Sequence, residues 1–415
     1  MAVLAFENFT FEEFPDNVRF WFLKHFYFDI PKSDIESISD FNISDDKEHI
    51  EFFDISEKSA ENKLFRFIEF GLNNLYNSIN NSNNKTIYVH RDSGIPLIGS
   101  RIFGIVDRGS NMLEVKPMTS CNINCIFCSV DEGISSKKVV DFVVEKDYLV
   151  SEIISLIEFK RENDFDEEFV NEKIDIYINP HGEPLLYPDI VGLVKDLRAY
   201  EFVGEIHIIT NGTLLTNNLV DSLVESGLTH LNVSISSLDS KNSKILAGSG
   251  AYNVEEVMAS VDYASKKLSV VITPVYLPTF NEDDLKAIVL FSKKIGVPVM
   301  IQNFLENKRG RCPTKQKPWD YFYSYLDDLE KKTGVNLRMT NDDIKFFKTP
   351  QLPYPFKKNE VVKAEIICPG RYKNESIAVA NNRCIEIVGH PFFRHERKKV
   401  KIIKIKNNLF KGSVS

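Results

Sequence analysis

The chain has 415 residues, of which 43% are hydrophobic and 27% charged, with a net charge of −8 and six cysteines. That composition belongs to a folded globular chain and excludes collagen-like, disordered and disulfide-scaffold classes. No stretch approaches the roughly 18 apolar residues that span a bilayer, and the acidic start MAVLAFENFTFEEF has neither the basic nor the apolar region of an export signal. A cytoplasmic chain with reduced cysteines and no membrane contact is therefore expected.

In chain order, residues 1–94 come first, as an acidic cap domain rich in Phe. Residues 1–90 hold 16 Asp/Glu against 8 Lys/Arg, and 14 of the 31 Phe fall between positions 6 and 70. So much aromatic surface needs a packed core. The polar, Asn-rich stretch 78–85 is a predicted loop. Over residues 95–305, strand-like runs at 112–116, 174–178, 205–209, 231–235, 270–276 and 297–301 alternate with helix-like segments. Those segments are 149–158, 189–199, 216–226, 253–267 and 283–295. The alternation predicts a parallel sheet with right-handed crossovers. Six strands are too few for a closed eight-stranded barrel, so an α/β fold with a partial (βα)6 parallel-stranded barrel is expected, its reacting groups at the strand C-termini. Residues 306–360 read as a basic loop at 308–311, an aromatic helix at 319–332 and a Pro-rich linker. Residues 361–415 read as a small all-β module, a five-stranded barrel.

Cys121, Cys125 and Cys128 directly follow the first barrel strand with the spacing C-x3-C-x2-C. Three thiolates on one short loop suit three corners of a [4Fe–4S] cluster, leaving the fourth iron open to a bidentate small molecule. Buried free thiols, or a zinc site short of its fourth ligand, are the other readings of the triplet.

With Phe127 just before the third cysteine, the triplet resembles the signature of the radical SAM superfamily. The resemblance implies a radical SAM barrel that binds S-adenosylmethionine at the open iron, with Phe127 against its adenine. It also implies reductive cleavage of the sulfonium to methionine and a 5′-deoxyadenosyl radical, which abstracts hydrogen from a substrate. A ferredoxin- or flavodoxin-like low-potential donor then supplies the electron. His181, Gly182, Glu183 and Pro184, at the end of the second strand, are similar to the superfamily's GGEP motif, whose polar groups bind the ligand's ammonium. His181 stands in place of the first glycine and puts an imidazole near the cluster. Thr210 and Asn211 end the third strand, where the family's ribose-binding residues lie. Ser234 and Ser236 lie near the end of the fourth, where a serine meets the ligand carboxylate, although small residues on one strand face also serve as filler. The wider pattern FGIVDRGSNMLEVKP, CSVDEG, GEPLLYP, TNGTLLT and NKRGR resembles a group of archaeal radical SAM proteins of undefined activity.

No catalytic residue is assigned, and His181 and Cys312 are the candidates. Cys312, Cys368 and Cys384 are scattered, with no C-x2-C unit, and give little support to an auxiliary cluster. Residues 391–415 carry +7, with Arg394, Arg397, Lys398, Lys399, Lys401, Lys404, Lys406 and Lys411 against Glu396 alone. A basic edge on a β module suits a polyanion such as RNA. The module resembles TRAM-type RNA-binding barrels appended to radical SAM enzymes that modify tRNA, and Lys308, Arg309 and Arg311 extend the expected surface. Modification of RNA, above all tRNA, is the expected function. A peptide or small-metabolite substrate is the first alternative, and a non-enzymatic iron–sulfur nucleic-acid-binding protein the second.

Overall fold

The computed structural model describes residues 1–163, 172–338, 345–393 and 396–414; Arg394 of the basic edge lies outside the described residues. At the centre, Met112–Lys116, Ile174–Ile178, Val203–Thr210, His230–Val233 and Ser269–Ile272 are successive parallel neighbours, and Gly104–Asp107 pairs antiparallel at one edge. Leu113, Val115, Ile176, Ile178, Ile206, Ile208, Leu231 and Val233 alternate along these strands and are buried. They form one continuous apolar layer, while the positions between them face the hollow of the curled sheet.

Two prolines shape the far edge. The predicted strand at 270–276 is interrupted at Pro274 into Ser269–Ile272 and Val275–Tyr276. The one at 297–301 contracts, beside Pro298, to a bridge between Ile272 and Val299, followed by Gln302–Asn303 paired with Val275–Tyr276. Proline brings no N–H to a ladder, so it ends or divides a strand.

The crossover helices are Lys146–Glu162, Ile190–Arg198, Asn217–Glu225, Val254–Ser265 and Glu282–Ile295. Side-chain oxygens of Asp189, Thr216 and Asn253 accept N–H groups of the first turns of the second, third and fourth, as N-caps do. A further short helix, Ser240–Ala247, is absent from the expected elements. Asp239 caps it, and it ends on the left-handed Gly248.

The cap is a six-stranded sheet with a three-stranded sheet beside it, and Phe11, Phe20, Phe26 and Phe52 are fully buried in its core. One strand of the larger sheet comes from much later in the chain: Val140–Val144, just after the cysteine loop, pairs parallel with Lys85–Val89. The cap and the cysteine loop are thus tied by a ladder.

The last segment is a closed five-stranded barrel of Val361–Pro369, Glu375–Ala380, Arg383–Val388, Lys411–Val414 and Glu396–Lys404, in that spatial order. It has a core of its own around Ile366, Ile385, Val400 and Phe410, yet Cys368, Ile377 and Cys384 belong to the main core. Cys384 N–H donates to Ile98 O at 2.9 Å, and Phe410 N–H donates to Gly99 O at 2.9 Å. A Cβ on Gly99 would lie 2.2 Å from Cys384 O, so the two backbones meet only because no side chain intervenes. The Pro-rich linker is also held. Buried Lys160 donates to Asp107 at 2.8 Å, to Thr349 at 2.8 Å and to Pro350 O at 2.9 Å. Among the described residues, no helix is long and apolar enough to cross a membrane.

Candidate active site

The C-terminal ends of the parallel strands open into a cavity of about 540 Å³. Met112–Lys116 leads directly to the short strand Thr119–Ser120, which pairs with His181–Gly182. A Cβ on Gly182 would sit 1.9 Å from Ser120 O. Ser120 itself holds φ at 109°, a conformation that costs an L-residue roughly 1–3 kcal/mol, and Asn77 of the cap donates to its hydroxyl at 2.6 Å. Cys121 follows at once.

The cysteine loop wraps the cavity wall, and Cys121, Cys125 and Cys128 all line it. Helix Ser240–Ala247 supports the loop from behind, accepting Asn124 N–H at 2.9 Å on Ala247 O and Ile126 N–H at 3.0 Å on Leu246 O. Arg311 clamps the other side, donating to Cys125 O at 2.8 Å, Glu132 O at 2.7 Å and Asp131 at 2.9 Å. Glu132 N–H donates to Cys128 Sγ at 3.2 Å. Burial pushes the Cys121 and Cys125 thiols up, Cys125 to about 12, and in each case the next cysteine adds to the effect. A cationic metal group is what deprotonates such thiols. Three cysteines lining one wall suit a [4Fe–4S] cluster by donor type, and Cys121, Cys125 and Cys128 would each supply it one thiolate.

Glu183 lines the cavity beside the start of the loop, its N–H donating to Ser120 O at 2.8 Å, and its carboxylate is engaged by the protein. Its Oε1 accepts from Thr210 Oγ1 at 2.6 Å and Leu185 N–H at 3.1 Å, and its Oε2 accepts from Asn211 N–H at 2.8 Å. Burial raises its carboxyl to about 7 against those three bonds. Asn211 continues the network to Asn122 Oδ1 at 3.0 Å and Cys121 Sγ at 3.8 Å. The GEP and TNG segments are therefore one hydrogen-bonded frame around the first cysteine, with Glu183 and Thr210 as braces. Gly182, Ser234 and Ser236 line the cavity beside them, whereas Pro184 is buried at the start of the following turn. Phe127 lines the wall and packs with Leu246, Leu277 and Phe304.

The two candidate catalytic residues part ways. His181 lines the cavity, where burial first, and then the cations Lys116 and Arg371, hold it well below the usual imidazole range. The neutral ring accepts from Arg371 Nη1 on Nδ1 at 3.1 Å. Cys312 is exposed and is not among the lining residues, and Cys368 and Cys384 are buried in the barrel interface. The structure does not bring these three cysteines to the cavity.

Several cavity residues escaped the sequence reading. Lys116 is buried, donates to Asn179 O at 2.7 Å and lies 3.3 Å from Glu114; burial lowers its pKa, with Glu114 opposing. Tyr252 and Asn303 also line the cavity. A charged residue ending an apolar strand was the available signal for Lys116. Of the basic loop at 308–311, Arg311 turns inward onto the cysteines, and Arg309 pairs with Glu375 and lies over the Tyr372 ring at 4.7 Å.

Residues 115–291 match the family model described as the radical SAM superfamily. The uncharacterized protein MJ0103 of Methanocaldococcus jannaschii is 34% identical over 386 residues, covering 85% of this chain and 86% of that protein. A GTP 3′,8-cyclase of Campylobacter jejuni subsp. doylei is 29% identical over 202 residues, covering 48% of this chain and 58% of the cyclase. A solved structure of TYW1 with a lysine-pyruvate adduct bound superposes with a TM-score of 0.42 and 17% identity, over 59% of this chain and 81% of that one.

Proposed function

The chain belongs to the radical SAM superfamily, and from that premise we propose that it is an RNA-modifying radical SAM enzyme, tRNA being the favoured substrate. Cys121, Cys125 and Cys128 hold the [4Fe–4S] cluster in this reading. Gly182, Ser234, Ser236 and Phe127 border S-adenosylmethionine, with the loop of Thr210 and Asn211 fixed by Glu183. When bound, the cluster supplies the electron that cleaves S-adenosylmethionine, after a low-potential donor has reduced it. The protein's own part is positional. Its braces hold the ligand loops in place before anything binds.

The observation that carries the RNA assignment is the outward face of the C-terminal barrel. Lys399, Lys401 and Lys404 are exposed on strand Glu396–Lys404, and exposed Lys363 lies directly opposite Lys399 in the ladder. Like charges facing across a ladder repel. Arg397, Lys398 and Lys411 pair with Glu365, Glu396 and Glu386, whereas among the described residues no ion pair engages those four lysines. Unneutralised cations on one face suit a phosphate backbone. Charge reversal is a cleaner test than deletion, since removing the barrel strips Cys368, Ile377 and Cys384 from the main core. The combined substitution Lys399→Glu, Lys401→Glu, Lys404→Glu is expected to weaken tRNA binding at least tenfold. It should also flatten the salt dependence of log Kd by about three, about one for each lysine. Unchanged binding and slope would remove RNA from this face.

Buried Lys116 in the cavity wall favours a second reading, an anionic small molecule as substrate, in line with the name of the cyclase relatives. Under it, Lys116→Met abolishes product formation from that molecule while the charge-reversed barrel retains it.

A further inference from the structure

Arg371 lies just beyond strand Val361–Pro369 of the C-terminal barrel, is 2% exposed, and reaches into the centre of the molecule. Its Nη2 donates to Glu132 Oε1 at 2.5 Å and to Asp131 O at 3.1 Å, and its Nη1 donates to His181. Glu132 is held from its other oxygen by Lys138, which also bonds Asp141 at 2.6 Å. Asp141 in turn accepts from Thr119 at 2.7 Å and from Asn77 of the cap at 3.0 Å. Two cations and two carboxylates balance, all of them buried. Burying four charges is costly unless each is fixed by several partners, and here each has at least two. What that arrangement fixes is residue 132, whose main-chain N–H points at Cys128 Sγ.

We propose that Arg371 is a positioning residue for the cluster: by pinning Glu132 it holds the N–H that donates to the Cys128 sulfur, and by bonding His181 it ties that corner to the GEP turn. The inference rests on the assignment of the three cysteines to a [4Fe–4S] cluster. An N–H donated to a ligand sulfur disperses the negative charge gained on reduction and so raises the potential. Pinning the amide therefore sets how easily the donor reduces the cluster.

The test is potentiometry of the anaerobically reconstituted full chain, with iron counting alongside. Wild type is expected to hold about four iron atoms per chain; absence of iron would sink the cluster assignment itself, separately from the role of Arg371. Arg371→Met should keep its iron, because the three cysteines remain, and should show a midpoint potential shifted to more negative values. It should also show altered electron paramagnetic resonance g-values in the reduced state. Arg371→Lys, which keeps the charge but loses the fork, should shift less in the same direction. A loaded Arg371→Met with wild-type potential and g-values would overturn the proposal. If that variant fails to fold or load, an unshifted Arg371→Lys overturns it instead.

Discussion

A methyl group is enough to disturb the frame of this site. At Gly182 it would meet the Ser120 carbonyl, and Ser120 already carries backbone strain immediately before Cys121. Gly182→Ala is expected to cost about 3 kcal/mol and to weaken S-adenosylmethionine binding by an order of magnitude or more, read by chemical denaturation and by calorimetry. A variant with unchanged stability and affinity would mean the short pairing of Thr119–Ser120 with His181–Gly182 is not what shapes the site. Residues of this kind were legible in the sequence because their signal is local: three cysteines within eight positions, and a GEP at a strand end. Arg311, Glu132 and Arg371 were not, because their partners lie 180 and 239 positions away. A long-range ion pair leaves no spacing to read. In Arg309 and Arg311 the sequence suggested free surface charge; folding turned Arg311 inward and paired half-buried Arg309 with Glu375.

The strands carry a second pattern that only their register discloses. Tyr177, His207 and His230 are opposite one another in adjacent parallel strands. Their rings stack at 4.1 and 4.2 Å between centroids. Each shares its strand face with a cavity residue two or four positions on, Asn179, Ile209 and Ser234. The stack therefore floors the half-barrel beneath the site. Burial, and then His230 beside it, lower the His207 pKa to about 3. The unfolded chain takes up this proton near pH 6.5 and the folded one only near 3, so between those values the unfolded state binds more protons and stability falls as pH falls. His207→Phe should remove that loss while keeping a ring in the stack. The wild type is expected to lose on the order of 1–2 kcal/mol more than the variant between pH 7 and pH 5, measured by urea midpoints. Equal losses would show that His207 does not set acid stability. The strands themselves were legible from their β-branched runs and turn residues. Their ends were less so, because Pro274 and Pro298 cut ladders that hydropathy alone continues, and helix Ser240–Ala247 has little apolar periodicity to announce it.

At the scale of the whole molecule, composition suggested modules in a row, and the structure interleaves them. The cap sheet takes in Val140–Val144, the C-terminal barrel sends Arg371 to the cysteine loop and three residues to the main core, and the linker between barrel and sheet is fastened rather than free. Lys160 is the fastener. Its ammonium ends on Asp107 at the sheet edge and on Thr349 and Pro350 of the linker, and beside them Thr349 Oγ1 donates to Ser110 O at 2.8 Å. Burial lowers the Lys160 pKa while Asp107 opposes it; with Asp107 equally buried, the charges stabilise each other only as a pair. Lys160→Met preserves the apolar stem and removes the cation, leaving a buried carboxylate without its partner. Loss of one member of such a pair costs roughly 3–5 kcal/mol. The loss should appear first where the linker leaves the sheet, as rapid tryptic cleavage at Lys345 or Lys348 under conditions in which the wild type is intact. Lys160→Met, Asp107→Asn should recover much of the stability, because no unpaired charge then remains. If both variants resist trypsin like the wild type, the linker is held by the barrel's own packing, through Cys384 and Phe410 on the 98–99 backbone, and the buried lysine contributes little to joining the two halves.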